Sequence, residues 1–172
     1  RYWQNQPPTD GGYLRYQVMV GFGVTAHLIS GPDVVDGLQT AWSDVNRTGS
    51  VLLLAQMSSR GNLLHPAYTE EVGRLGKEHA GVLGFIGNGS QPSSLKSLRN
   101  MVGESKMIWT PGVNIQTGDG EMGQRYGDPT EAVVAGADCI IVGSGIHMAE
   151  HPEKAAAMYA EASWKGLLQR NG

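Results

Sequence analysis

Two short stretches of this chain carry residues whose types and spacing could do chemistry on a small anionic ligand. From Met107 to Tyr126 the sequence reads MIWTPGVNIQTGDGEMGQRY. An apolar run there ends in Thr110-Pro111-Gly112 and gives way to a loop with Gly118, Asp119, Gly120, Gly123, Gln124 and Tyr126. From Ile140 to Ile146 it reads IIVGSGI, an apolar run that enters Gly143-Ser144-Gly145 directly. Glycine after a buried strand lets backbone N–H groups approach a ligand closely, and concave arrays of such groups favour anions such as phosphate. Two such strand ends near the C-terminus are the pattern of the phosphate corner of a β/α barrel.

The remaining reactive side chains form thinner patterns. Of the five histidines, His147 and His151 stand four apart but lack the acidic partner of a helical zinc site, so no metal is expected, and no cofactor is implied. His27 is the titratable group best placed at a strand end, which makes it the acid/base candidate. Ser58 and Ser59 show no His/Asp relay. Cys139 stands alone inside an apolar run and reads as a structural thiol, which excludes a disulfide framework. Trp3, Trp42, Trp109 and Trp164 read mainly as core, with Trp109 abutting the pocket.

The elements that must position these residues alternate strand and helix. Val24 to Ile29, Val51 to Met57, Val82 to Ile86, Met107 to Trp109 and Cys139 to Val142 read as strands. Val51 to Met57 is almost wholly apolar, as in a parallel strand covered on both faces. Helices are predicted over 32–45, 69–79, 91–102, 129–135 and 152–168, the first from the spacing of Val34, Val35, Leu38 and Trp42. Five strands with alternating helices predict an α/β fold of the (β/α)8 TIM-barrel type. A full barrel takes about 250 residues and this chain has 172. The chain is therefore expected to hold roughly the C-terminal five strand–helix units.

Composition narrows the function classes. A net charge of −3 without a Lys/Arg cluster argues against nucleic acid and anionic membrane as partners, and no stretch approaches the length of a membrane span. The N-terminus, RYWQNQPPTD, is unlike a secretion signal, so a soluble cytoplasmic protein is expected. A small-molecule ligand is the expected partner, with a homodimer or a second chain completing the barrel, because an open apolar sheet edge drives association.

An ordered series of segments resembles the orotidine 5′-monophosphate decarboxylase family, in particular its fungal and eukaryotic type: VTAHLISGPDVVDGL, LLLAQMSSRGNL with YTEEV, GFIGN, TPGVN, GDGEMGQRYGDPTEAV, DCIIVGSGI and MYAEASWKGLLQR. The resemblance covers residues 24–172, which would be the C-terminal part of the barrel, and leaves 1–23 as a remnant of the segment around its third strand. It implies that Ser59 contacts the pyrimidine and carboxylate region, that Pro111 lines the base pocket, and that Gln124, Tyr126 and the Gly143 N–H bind phosphate. It also implies a dimer.

Two departures accompany these matches. The family carries Arg after the strand-end glycine where this chain has Ser144, a neutral hydroxyl in place of a permanent charge and a two-pronged donor. The family's Asp-x-Lys-x-x-Asp array, whose lysine protonates the carbanion left by carbon dioxide, has no counterpart: Lys77, Lys96, Lys106, Lys154 and Lys165 all fall away from strand C-terminal ends. The departures favour a decarboxylase-like paralogue remodelled into a lyase or cyclase for another small molecule, as in secondary metabolism. The alternatives are a non-catalytic binding or structural subunit, and a genuine orotidylate decarboxylase of pyrimidine biosynthesis represented by a truncated sequence.

Overall fold

The computed structural model describes residues 23–116, 118–119 and 123–172. The segment 1–23, read above as a remnant around the third barrel strand, lies outside them except for its last residue. Five strands, β1 (Gly23–Ala26), β2 (Ser50–Leu54), β3 (Val82–Ile86), β4 (Met107–Thr110) and β7 (Cys139–Ile140), form one sheet in the order β1-β2-β3-β4-β7, and every neighbouring pair is parallel. Crossovers run through α1 (Asp33–Asp44), α2 (Pro66–Glu78), α3 (Pro92–Val102) and α4 (Pro129–Val134), followed by the short α5 (Ser144–His147) and the long α6 (Pro152–Asn171).

The crossover helices α1 to α3 share one face of the sheet. Val51 and Leu53 of β2, Phe85 of β3 and Ile108 of β4 join Val35, Leu38 and Trp42 of α1, Val72 of α2 and Leu95, Leu98 and Val102 of α3 in a single cluster. A doubly wound sheet would place helices on both faces, whereas one-sided cover is the arrangement of a barrel wall. Leu54, Ile86 and Ile141 lie on the other face, and Ile141 is partly exposed among the described residues. Close packing on the helix side depends on missing side chains. A Cβ at Gly76 would run into Leu53 and Phe85 at 2.7 Å, so glycine is what lets α2 settle onto β2 and β3.

Local chemistry explains the boundaries and corrects several of them. Helix α2 starts at Pro66, a turn before the predicted Thr69, because proline at the first helical position brings its φ preset and lacks an N–H that would go unpaired. The same device opens α3, α4 and α6 at Pro92, Pro129 and Pro152, and in α4 the Asp128 side chain also accepts the Glu131 N–H at 3.0 Å. Strand β2 stops at Leu54 instead of Met57. Beyond it the N–H groups of Ala55 and Gln56 both turn to Ile86 O, at 3.2 and 3.0 Å, and the chain leaves the ladder. Strands β1 and β7 likewise end before the predicted Ile29 and Val142, and α6 continues past Leu168 to Asn171. The loop read as irregular holds a small antiparallel ribbon, β5 (Gly118–Asp119) with β6 (Arg125–Tyr126). Trp42 is core, but Trp164 is 61% exposed, which corrects its reading as core; Trp3 lies outside the described residues.

At the N-terminal ends of the strands, Asp138 joins four elements. Its carboxylate accepts the Ile108 N–H at 2.8 Å, pairs with the buried Arg99 of α3, and meets Arg170 of α6 at 3.2 Å. Arg99 also donates to the carbonyls of Gly103, Lys106 and Gly136. Replacing Asp138 with alanine strands a buried guanidinium and a strand N–H, so Asp138→Ala is expected to lower unfolding free energy by about 2–4 kcal/mol in urea titration. Glu71→Ala, which breaks the exposed Glu71–Arg74 pair, should leave the midpoint unchanged.

Candidate functional site

The four strands β2, β3, β4 and β7 end around one cavity of about 360 Å³, as the glycine, serine and proline after each of them predicts. Its floor is apolar, from Leu54, Ile86 and Ile141, and its rim carries Ser58, Ser59, Pro111, Gln124, Tyr126 and the Gly143-Ser144-Gly145 turn. The substrate-binding residues expected from the sequence, Ser59, Pro111, Gln124, Tyr126, Gly143 and Ser144, therefore stand together. No charged side chain lines the cavity among the described residues.

Ser58, which the sequence reading did not select, is the buried centre of the rim. Its Oγ accepts from Gln124 Nε2 at 2.6 Å, and its carbonyl accepts from Arg125 Nε at 3.2 Å. Gln124 Nε2 also donates to Arg125 O at 3.1 Å, so both amide hydrogens are held by the protein, while the carbonyl end of the side chain has no hydrogen-bond partner among the described residues. An anion reaching Gln124 must therefore draw its amide away from Ser58. Gln56, also missed, is fixed at both ends: Asn88 N donates to its Oε1 at 3.0 Å, and its Nε2 donates to Ser94 O at 2.9 Å. A polar residue closing the apolar run VLLLA was the available signal for it.

Close backbone approach shapes the wall. Gly112 has φ +78°, and a Cβ there would meet Ser58 Cβ at 2.6 Å. Its carbonyl accepts the Gly127 N–H at 2.9 Å, which draws the segment carrying Gln124 and Tyr126 over the cavity. On the opposite side α5 follows β7 after three residues, and the N–H groups of Ile146 and His147 turn back to Gly143 O at 3.0 and 3.1 Å. The first N–H groups of a helix have no intrahelical acceptor, so those that open α5 remain for a ligand or solvent.

Other candidates lie elsewhere. His27 follows β1 at its C-terminal end but is exposed and outside the cavity wall, so the structure does not bring it together with Ser59. Trp109 is not part of the wall either. Burial, and then the charge of Asp138, push the Cys139 thiol up, which disfavours the thiolate. Lys106 lies at the far end of the sheet, where its Nζ donates to His79 O at 2.9 Å and Val82 O at 2.6 Å, and burial lowers its pKa. The other four lysines sit in helices.

Fold and cavity together define a portion of a β/α barrel with a cavity at the C-terminal ends of its strands. Residues 22–159 match the orotidine 5′-phosphate decarboxylase / HUMPS family, and the chain belongs to that family. It is 35% identical over 177 residues to the orotidine 5′-phosphate decarboxylase of Paracoccidioides brasiliensis, a match covering 96% of this chain and 62% of that protein. It is 37% identical over 149 residues to the uridine 5′-monophosphate synthase of Bos taurus, covering 86% of this chain and 29% of that one. The crystal structure of orotidine 5′-phosphate decarboxylase from Pyrococcus horikoshii OT3 superposes with a TM-score of 0.68 at 26% identity, over 84% of this chain and 62% of that chain. The chain thus spans less than two thirds of each of these relatives. No helix among the described residues is long and apolar enough to cross a membrane.

The clearance at Gly112 gives a direct check. Gly112→Ala combines a left-handed backbone with a collision against Ser58 and is expected to cost about 1–3 kcal/mol. A thermal melt of the variant should fall by several degrees.

Proposed function

We propose that the cavity binds a pyrimidine nucleoside 5′-monophosphate and that this chain is the nucleotide-binding part of an orotidine 5′-monophosphate decarboxylase barrel. The carrying observation is the convergence of Ser58, Ser59, Pro111, Gln124, Tyr126 and residues 143–145 on one cavity in a member of this family. The names of the relatives favour a genuine decarboxylase over the remodelled lyase that the sequence departures pointed to. They lend no support to a pseudoenzyme or to secondary metabolism.

In this reading the apolar floor takes the flat base against Pro111, with the serine hydroxyls meeting its polar edge. The phosphate occupies the corner between Tyr126, Gln124 and the N–H groups that open α5. The lysine that would protonate C6 after carbon dioxide leaves is not among the described residues: four of the five lysines are helical and Lys106 faces the wrong end of the sheet. The described residues hold and orient the nucleotide, and the proton must come from elsewhere in the assembled barrel. An association that completes the barrel, whether with a second copy or another segment, belongs to the same proposal.

Calorimetric titration with UMP tests the binding reading, with saturable binding expected and its absence overturning it. Orotidylate turnover by this chain alone should be undetectable by loss of substrate absorbance. Ser144→Arg supplies the charge that the neutral corner lacks, so UMP should bind at least about fivefold more tightly, by a margin that shrinks with added salt.

A further inference from the structure

We propose that Tyr159 is a positioning residue whose phenol oxygen holds the two loops of the nucleotide cavity in register. It sits in the second turn of α6, is 3% exposed, and contributes nothing to the cavity wall. Its hydroxyl donates to Asn114 Oδ1 at 3.0 Å and accepts the Ile115 N–H at 3.4 Å, both in the loop after β4. Asn114 N in turn donates to Gly127 O at 2.9 Å, and Gly127 N to Gly112 O at 2.9 Å, so a relay of three hydrogen bonds joins the phenol to the wall over Ser58. The same oxygen lies against Gly145 in α5, part of the loop segment after β7, where a Cβ would overlap it. Neither loop belongs to the five-stranded sheet, and their spacing sets the width of the corner proposed for phosphate. A buried hydroxyl that donates to one loop, accepts from it and abuts the other fixes that width more tightly than apolar packing would.

The link to phosphate rests on the nucleotide reading, but the loop geometry does not, and the test separates the two. Tyr159→Phe keeps the ring and removes only the oxygen. In hydrogen exchange of the unliganded protein, the Ile115 amide should exchange several-fold faster, with β2 to β4 amides unchanged. Gly145→Ala, which presses on the phenol from the other side, should give the same signature, and the added effect should largely vanish in the Gly145→Ala/Tyr159→Phe double variant. UMP affinity should fall about fivefold in Tyr159→Phe while uridine, which lacks the phosphate, binds as before. Unchanged exchange at Ile115 overturns the proposal, as does an equal loss for UMP and uridine, which marks a general structural defect. A wild-type protein that binds no UMP sinks the nucleotide reading instead, and exchange alone then decides the role of Tyr159.

Discussion

The Asp138 carboxylate is the constraint on which the rest of the arrangement depends. It lies just before β7, yet it accepts the Ile108 N–H of β4 and binds arginines from α3 and α6. A short strand of two residues has little ladder of its own to fix its height in the sheet. Tied at its N-terminal end, β7 is held beside β4, and Ile141 N can then reach Thr110 O at 2.9 Å. The sheet is locked at the end away from the cavity. That separation leaves the C-terminal ends free to open into loops, the division of labour expected of a β/α barrel.

At the open end the limiting quantity is clearance between backbones. Gly112 passes over Ser58 with no room for a Cβ, and that contact brings the Ser58 hydroxyl within 2.6 Å of Gln124. Across the cavity Gly145 is pressed against Tyr159. The two rims are set by steric contact first and by hydrogen bonds second. Hydrogen bonds alone would let the loops drift by tenths of an ångström, whereas overlap rises steeply with displacement.

Much of this was legible in the sequence, for identifiable reasons. Apolar runs bounded by glycine, serine or proline mark strands whose ends meet, and Leu38, Trp42, Leu95 and Leu98 fall where helical spacing puts them in the core. Legibility failed where tertiary contacts decide. Ser58 and Ser59 are adjacent and chemically identical, and only the path of the chain after β2 determines which one is buried against Gln124. His27 ends a strand like the others, but β1 lies at the edge of the sheet, and the cavity is bounded by Ile86 at the end of β3 and by residues that follow β2, β4 and β7. Trp164 fits a helical pattern, yet α6 packs on α4 through Gly166, which meets Thr130 and Val133, so the tryptophan faces away.

Neighbouring positions after β7 carry unequal constraints, and this bears on the departure expected from the sequence at position 144. Gly145 is confined by Tyr159, and any larger residue there displaces α6 or the loop. Ser144 is exposed on the cavity rim, and a change there disturbs no packed neighbour. Side chains at such positions alter affinity with little effect on the fold, so the charge at residue 144 can vary while the frame is kept. Under the proposed reading, a neutral residue there would leave an anion to hydroxyls and backbone N–H groups, which are weaker donors individually but are held in place by contacts the substitution does not touch. The charge proposed to tune ligand binding and the contact that shapes the cavity thus fall on different residues, one position apart.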